Sequence, residues 1–186
     1  MKKTIIAAML SAMALTAMAE DFATVTYNPS IKDQSTKNII GDSVGLILGT
    51  TAFKFVTVDG KLEAARGRNT GTVVDAAQVR GTFTLPVTKD IDVFARGGLG
   101  RSWTAGNDYS FYTYAGGVNI EMNSVYNVFA SVERSQSFKA GNPHFTKYEG
   151  GLGYNINKTN NVAVSLQRSL GDVNTSGVQL GYTHKF

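Results

Sequence analysis

Apolar and polar positions alternate at every second residue over much of this chain, in blocks of about ten residues parted by short polar stretches. In Lys147–Ile156 one set is Tyr148, Gly150, Leu152, Tyr154 and Ile156, and the other is Lys147, Glu149, Gly151, Gly153 and Asn155. In Ala76–Leu85, Ala77, Val79, Gly81, Phe83 and Leu85 oppose Gln78, Arg80, Thr82 and Thr84. Period two is the mark of a strand, whose successive side chains point to opposite faces. No longer window sustains the i, i+3, i+4, i+7 spacing of a helix. The pattern predicts strands over Asp21–Tyr27, Ser43–Phe53, Lys61–Arg68, Ala76–Leu85, Ile91–Trp103, Phe111–Met122, Tyr126–Ser135, Lys147–Ile156, Asn161–Leu170 and Ser176–Phe186.

The character of the two faces decides what kind of sheet this is. A soluble sandwich turns a large apolar face inward and a polar one to water. Here the polar face carries Gly, Ser, Thr, Gln and scattered charges, which suits the crowded, wet interior of a barrel whose apolar face meets lipid. Tyr109, Tyr112, Tyr148 and Tyr182 lie near strand ends, where aromatic belts mark membrane interfaces. The segments 86–90, 123–125 and 157–160 read as short turns, and the loops near Pro29 and Pro143 as longer ones. Pro29, Pro86 and Pro143 are all expected outside strand interiors, where a missing N–H does no harm. With both termini in the periplasm the strand number must be even. The expectation is an all-β fold, a single antiparallel up-and-down transmembrane β-barrel of ten strands. Eight is the alternative, if Asp21–Tyr27 and Ser43–Phe53 are something else.

Residues 1–19 read as a secretory signal peptide: Lys2 and Lys3, an apolar run over Ile5–Leu15, then Ala17-Met18-Ala19 as the small-x-small cleavage pattern. The run is too short for a spanning helix. Cleavage after Ala19 leaves residues 20–186 as one barrel domain, and lowers the net charge from +4 to +2 because two lysines leave with the peptide. The basic pI then says nothing for nucleic acid, since no Lys/Arg patch or recognition helix accompanies it. The chain has no cysteine, which excludes disulfides, a thiolate metal site and an N-terminal lipidated Cys. The final segment places Val178, Leu180, Tyr182, His184 and Phe186 on one face, against Gln179, Gly181, Thr183 and Lys185.

The signal peptide, Gly150-Gly151-Leu152-Gly153-Tyr154 and Gly181-Tyr182-Thr183-His184-Lys185-Phe186, together with the turn rhythm, resemble small bacterial outer-membrane β-barrel proteins of the porin-like and OmpA/OmpX-like kind. The resemblance implies localisation in the outer membrane of a Gram-negative bacterium. It also implies a C-terminal assembly signal in Gly181, Tyr182, His184 and Phe186, read by the barrel assembly machinery. His184 departs from the more apolar residue usual there. Outer-membrane lipid and lipopolysaccharide are the other implied partners, with a monomeric barrel. Such barrels serve as structural proteins, adhesins, narrow channels and a few lipid-modifying enzymes, so fold does not choose the function.

Charged residues on the expected lumen face are Glu63, Arg80, Arg96, Glu121, Glu133, Lys147, Glu149 and Lys185. A narrow barrel must pair or hydrate such charges. They form either a polar network that stiffens the interior or a charge-lined conduit. His144, near Pro143 and within reach of Asp108 or Asp172 from neighbouring loops, is the one candidate centre for hydrolysis, but it lacks a family-specific spacing. Two remote histidines make no metal site. Gly97-Gly98-Leu99-Gly100 is no phosphate loop, as neither Lys-Ser/Thr nor a helix follows. The chain reads as a non-enzymatic envelope protein without cofactor, a structural or surface-interaction barrel, with a narrow porin for small polar solutes as the alternative and a lipid-modifying enzyme as the weaker one.

Overall fold

The computed structural model describes residues 20–67, 73–104 and 108–186. The signal-peptide expectation, residues 1–19, lies outside the described residues. Ten strands follow one another: β1 Asp21–Asp33, β2 Ile39–Phe53, β3 Val56–Gly67, β4 Val73–Pro86, β5 Ile91–Thr104, β6 Tyr109–Glu121, β7 Tyr126–Ser137, β8 Phe145–Asn155, β9 Asn160–Gly171 and β10 Thr175–Lys185. Each pairs antiparallel with its chain neighbours, and β1 closes on β10 from Phe22↔Lys185 to Asp33↔Thr175, making one closed up-and-down barrel. The eight-strand alternative fails because β1 and β2 pair with each other from Asp21↔Thr50 to Lys32↔Ile39.

Three strands outrun their predicted bounds by four residues or more at one end. β1 continues through Pro29 to Asp33, so Pro29 sits inside a strand rather than in a loop. The register of β1 slips near it against both neighbours, after Asn28 on the β2 side and between Tyr27 and Lys32 on the β10 side. A proline takes no part as a ladder donor, and a bulge is where a strand tolerates one. β2 starts at Ile39 rather than Ser43. β3 starts at Val56 rather than Lys61, after a two-residue connection of Lys54 and Phe55.

The faces sort as the alternation requires. The buried side chains are almost all polar, among them Ser43, Asp59, Gln78, Arg80, Thr82, Thr113, Ser135 and Ser165, and Ala77 is the one buried apolar residue among the described residues. Leu99, Leu152 and Leu166 are 63%, 58% and 68% exposed on the outer wall. A soluble sandwich has the reverse arrangement, so this is a barrel built to stand in lipid. Among the described residues no helix is long and apolar enough to cross a membrane, and the crossing is left to the strands.

The end that holds both described termini is closed by tight turns. Asn123 Oδ1 accepts from the amides of Val125 and Tyr126, Asn157 Oδ1 from those of Thr159 and Asn160, and Thr88 Oγ1 from that of Asp90. Such side-chain-to-backbone bonds fix a short turn without further packing. Aromatic rings cluster at both rims: Tyr126 with Tyr154 (5.4 Å between centroids) and His184 with Phe186 (4.8 Å) at the turn end, Tyr112 with Phe138 (5.2 Å) at the other. Trp103 is the penultimate residue of β5, at that other rim.

Candidate functional site: a charged lumen

The inward positions of β3, β4, β5, β7 and β8 bring charges together in the lumen. β3 alternates Thr57, Asp59, Lys61 and Glu63 inward, and Lys61 Nζ meets Glu63 Oε2 at 2.6 Å along one strand. Asp59 stands directly opposite Arg80 on β4, and its Oδ1 takes both Arg80 Nη2 (2.6 Å) and Nε (2.7 Å). Both side chains are less than a tenth exposed. Two charges taken out of water survive only as a well-bonded pair, and this one is bonded through two nitrogens. Arg96, opposite Thr82, donates from Nε to its Oγ1 at 3.0 Å and spreads over the Phe94 ring, 5.1 Å from its centroid.

Glu133 on β7 stands opposite Lys147 on β8, whose Nζ lies 3.5 Å from Glu149 Oε2. Glu149 Oε1 accepts from Ser165 Oγ (2.8 Å) and Gln167 Nε2 (3.1 Å), and Gln167 reaches on to Gln179 Oε1 at 2.8 Å. The network thus runs from β8 across β9 to β10. Gln78 donates to Thr113 across β5. Gly98 lies between them, and a Cβ there would press on Gln78, Arg80 and Thr113, so a glycine makes the crossing possible.

The remaining predicted lumen charges stand apart. Lys185 lines the mouth at the turn end. Glu121 ends β6 at the same rim and is exposed, away from the network. The partner of Arg80, Asp59, and the partner of Glu63, Lys61, were both outside the predicted set. The signal was present: Val56, Val58, Leu62 and Ala64 alternate with Thr57, Asp59, Lys61 and Glu63, so beginning β3 at Val56 places Asp59 inward, and Lys61, first in the predicted strand, already shares the face of Glu63.

Two cavities lie in series within the barrel. One of about 540 Å³ opens at the turn end and runs from Thr24 and Lys185 up to Asp59, Arg80 and Arg96. The other, about 170 Å³, lies toward the opposite end against Ser43, Glu63, Glu133 and Thr175. Lys61, Lys147 and Gln179 line both. They stand where the two meet.

His144 is drawn to Asp172 and not to Asp108: its amide donates to Asp172 Oδ2 (3.0 Å) and its Nδ1 lies 2.8 Å from the same oxygen. Both side chains are about half exposed. The pair clasps the 138–144 loop to the β9–β10 turn, where Gly171 has φ 129°, and the amide of Asp172 returns a bond to His144 O. Among the described residues no three His, Asp or Glu side chains gather as a metal-ligand set. His184 points outward on β10, with Nδ1 2.8 Å from Asn160 Oδ1, which also accepts from the Tyr182 hydroxyl at 2.6 Å.

The barrel is shared with outer-membrane proteins of known structure. It is similar to an outer membrane channel from Pseudomonas putida F1 (TM-score 0.56, 8% identity, covering 90% of this chain and 96% of that one). It is similar also to the beta domain of the Bordetella autotransporter BrkA (TM-score 0.56, 12% identity, 90% and 99% covered). The translocator domain of the autotransporter NalP from Neisseria meningitidis matches over 100% of this chain and 95% of that one, with TM-score 0.51 and 9% identity. The chain therefore has the outer-membrane β-barrel fold, in a closed ten-strand form. No protein-family model and no curated protein matches it.

Proposed function

We propose that the protein is a narrow, non-enzymatic channel in the outer membrane of a Gram-negative bacterium, passing small polar solutes through a constriction at Lys61, Lys147 and Gln179. The observation that carries this reading is the pair of cavities in series that share those three side chains. A lumen filled by side chains, the ordinary state of the smallest barrels, would leave no vestibule of about 540 Å³. The larger cavity is lined by Lys61, Arg80, Arg96, Lys147 and Lys185 against Glu20, Asp59 and Glu149, an excess of positive charge that favours anions. Lys147 is the movable element, a flexible cation held by Glu149 at 3.5 Å, a longer contact than the 2.6 Å of Lys61 with Glu63.

Planar-bilayer recordings in a salt gradient test the reading. Wild-type protein is expected to conduct in small steps with a reversal potential on the anion side. Lys147→Ala is expected to raise the step size and move the reversal potential toward cations. Bilayers that stay silent with both proteins would sink the channel. The other reading, a structural or surface-interaction barrel, is favoured by one observation: the Asp59–Arg80 pair and the Glu149–Gln167–Gln179 chain tie neighbouring strands together along the inner wall. Silence together with intact folding would favour it.

A further inference from the structure

Each of the five strands that run away from the turn end carries one cation within three residues of its far end: Lys32 on β1, Arg66 on β3, Arg101 on β5, Arg134 on β7 and Arg168 on β9. Arg66, Arg101, Arg134 and Arg168 share the outward face with Leu62, Leu99, Val132 and Leu166, because strand side chains alternate. At the turn end, the described strands place no Lys or Arg on that outward face. On the outward face of the strands the belt is therefore one-sided, the lysines of the turn end, Lys54, Lys89 and Lys158, lying in the connecting turns. Two of its members are partly neutralised, since Arg66 stands opposite Asp42 and Arg101 lies 3.9 Å from Asp108. Among the described residues no carboxylate pairs with Arg134 or Arg168.

A groove of about 550 Å³ runs down the outer wall with Arg168 in its lining and Arg134 two residues along β7 from Val132, another lining residue. Gly116, Ala130 and Gly150 form its floor, Val132 and Leu166 its sides, and Tyr148 with Arg168 its head. Arg168 stands opposite Tyr148, and Arg134 stands opposite Thr146, to whose hydroxyl its Nη1 donates at 2.9 Å. Arg134 and Arg168 are two strands apart, about 10 Å across the sheet, and offset by two residues along it, because Thr146 pairs with both Arg134 and Leu170. Their long side chains can close on one phosphate or take two on one molecule, each with a fork of donors matched to phosphate oxygens.

We infer that Arg134, Arg168 and Tyr148, with the groove below them, form a binding site for the phosphorylated glycolipid of the outer leaflet, phosphate on the arginines and one acyl chain along Gly116, Ala130 and Gly150. The site faces lipid rather than the lumen, so it is independent of conduction and shares with the proposed function only the outer-membrane setting, with the short turns on the periplasmic side. In that orientation the arginine end meets the leaflet built of lipopolysaccharide. Phosphate on a sugar suits a head site where the Thr146 and Tyr148 hydroxyls stand beside two unneutralised guanidinium groups. The groove floor is open: a Cβ on Gly116 or Gly150 would meet nothing nearer than a backbone oxygen at 3.7 or 3.8 Å, so the wall there gives way to a guest rather than to a neighbouring side chain.

Native mass spectrometry of the folded full chain in detergent tests this with three probes: bisphosphorylated lipid A, lipid A stripped of phosphate, and phosphatidylglycerol. Wild-type protein is expected to retain the first at least tenfold more than the other two. The Arg134→Gln/Arg168→Gln double variant is expected to lose about tenfold or more of that retention, with heat-modifiable folding and conductance unchanged. Gly150→Leu, which fills the groove and leaves both arginines, is expected to weaken lipid A as well. Equal retention by wild type and the double variant would overturn the site. Equal retention of dephosphorylated lipid A would remove the role of the arginines. Phosphatidylglycerol held as well as lipid A would remove the assignment to the glycolipid.

Discussion

Arg80 and Asp59 show what a single residue can decide inside this barrel. Each is nearly buried, and each is the other's principal bonding partner, through two nitrogens and one oxygen. Replacing Asp59 by Asn keeps the shape and strands the guanidinium, and breaking a buried pair from one side costs about 3–5 kcal/mol. D59N is expected to lower the temperature at which the folded band is lost on SDS gels, with Asp59→Asn/Arg80→Gln recovering most of it. A double variant no better than the single one would show that water already carries the arginine. Val164, near the middle of β9 and 43% exposed to the outside, makes the opposite case. An arginine there faces the hydrocarbon rather than the rim, at about 2–4 kcal/mol against about 0–1 near the interface. V164R should therefore refold poorly in lipid vesicles, measured by urea unfolding, whereas the native Arg168 four residues further up the same strand is tolerated. The comparison places the membrane boundary on β9 between Val164 and Arg168.

At the scale of the element, period two was enough to find every strand, because inward and outward sides differ so sharply in lipid and water. Lys147–Ile156 and Ala76–Leu85 were legible residue by residue, and β8 and β4 carry the same face assignment in the structure. The misses came where the alternation is interrupted by residues that usually end strands. Pro29 suggested a loop, but a register slip on both sides of β1 lets the strand pass through it. Gly60 and Asp59 weakened the start of β3 in the same way, and with that start went Asp59, whereas Lys61 opened the predicted strand on the face of Glu63. Pairing was out of reach from sequence for a different reason. Glu133 and Glu149 are both near Lys147, and only the register Glu133↔Lys147 and the 3.5 Å contact to Glu149 say how the three share space. The outward arginines were legible one at a time, but their common height on the far rim emerges only when odd-numbered strands are seen to run the same way.

For the whole molecule, closure is the property that matters. Among the described residues every strand is paired on both sides, with register slips beside Pro29, so no strand is left as an open edge for another chain. Boiled and unboiled samples should therefore run at different mobilities on SDS gels, and recovery with outer membranes after expression of the full precursor should accompany the shift. A soluble product with no shift would contradict the barrel. Closure also explains the division of labour between the faces. The lumen concentrates charge and balances it within a strand or between neighbouring strands, while the outer face presents apolar area with its strand arginines toward one rim.

The seam between β1 and β10 has a consequence for how the molecule comes into being. Thr24 and Thr183, 159 positions apart along the chain, share a hydrogen bond across it, at 2.8 Å. Contacts so remote form late, because the chain between them must first be brought together. Until then β1 and β10 both expose a row of unpaired amides, which hydrocarbon does not forgive. The nascent protein thus has no half-built state that is comfortable in a membrane, and it needs a host that holds both edges until they meet. The slip beside Pro29 interrupts that same ladder between Tyr27 and Lys32. The joint that zips last is also the one with a gap in its teeth, and it is there that the finished wall would part first under strain.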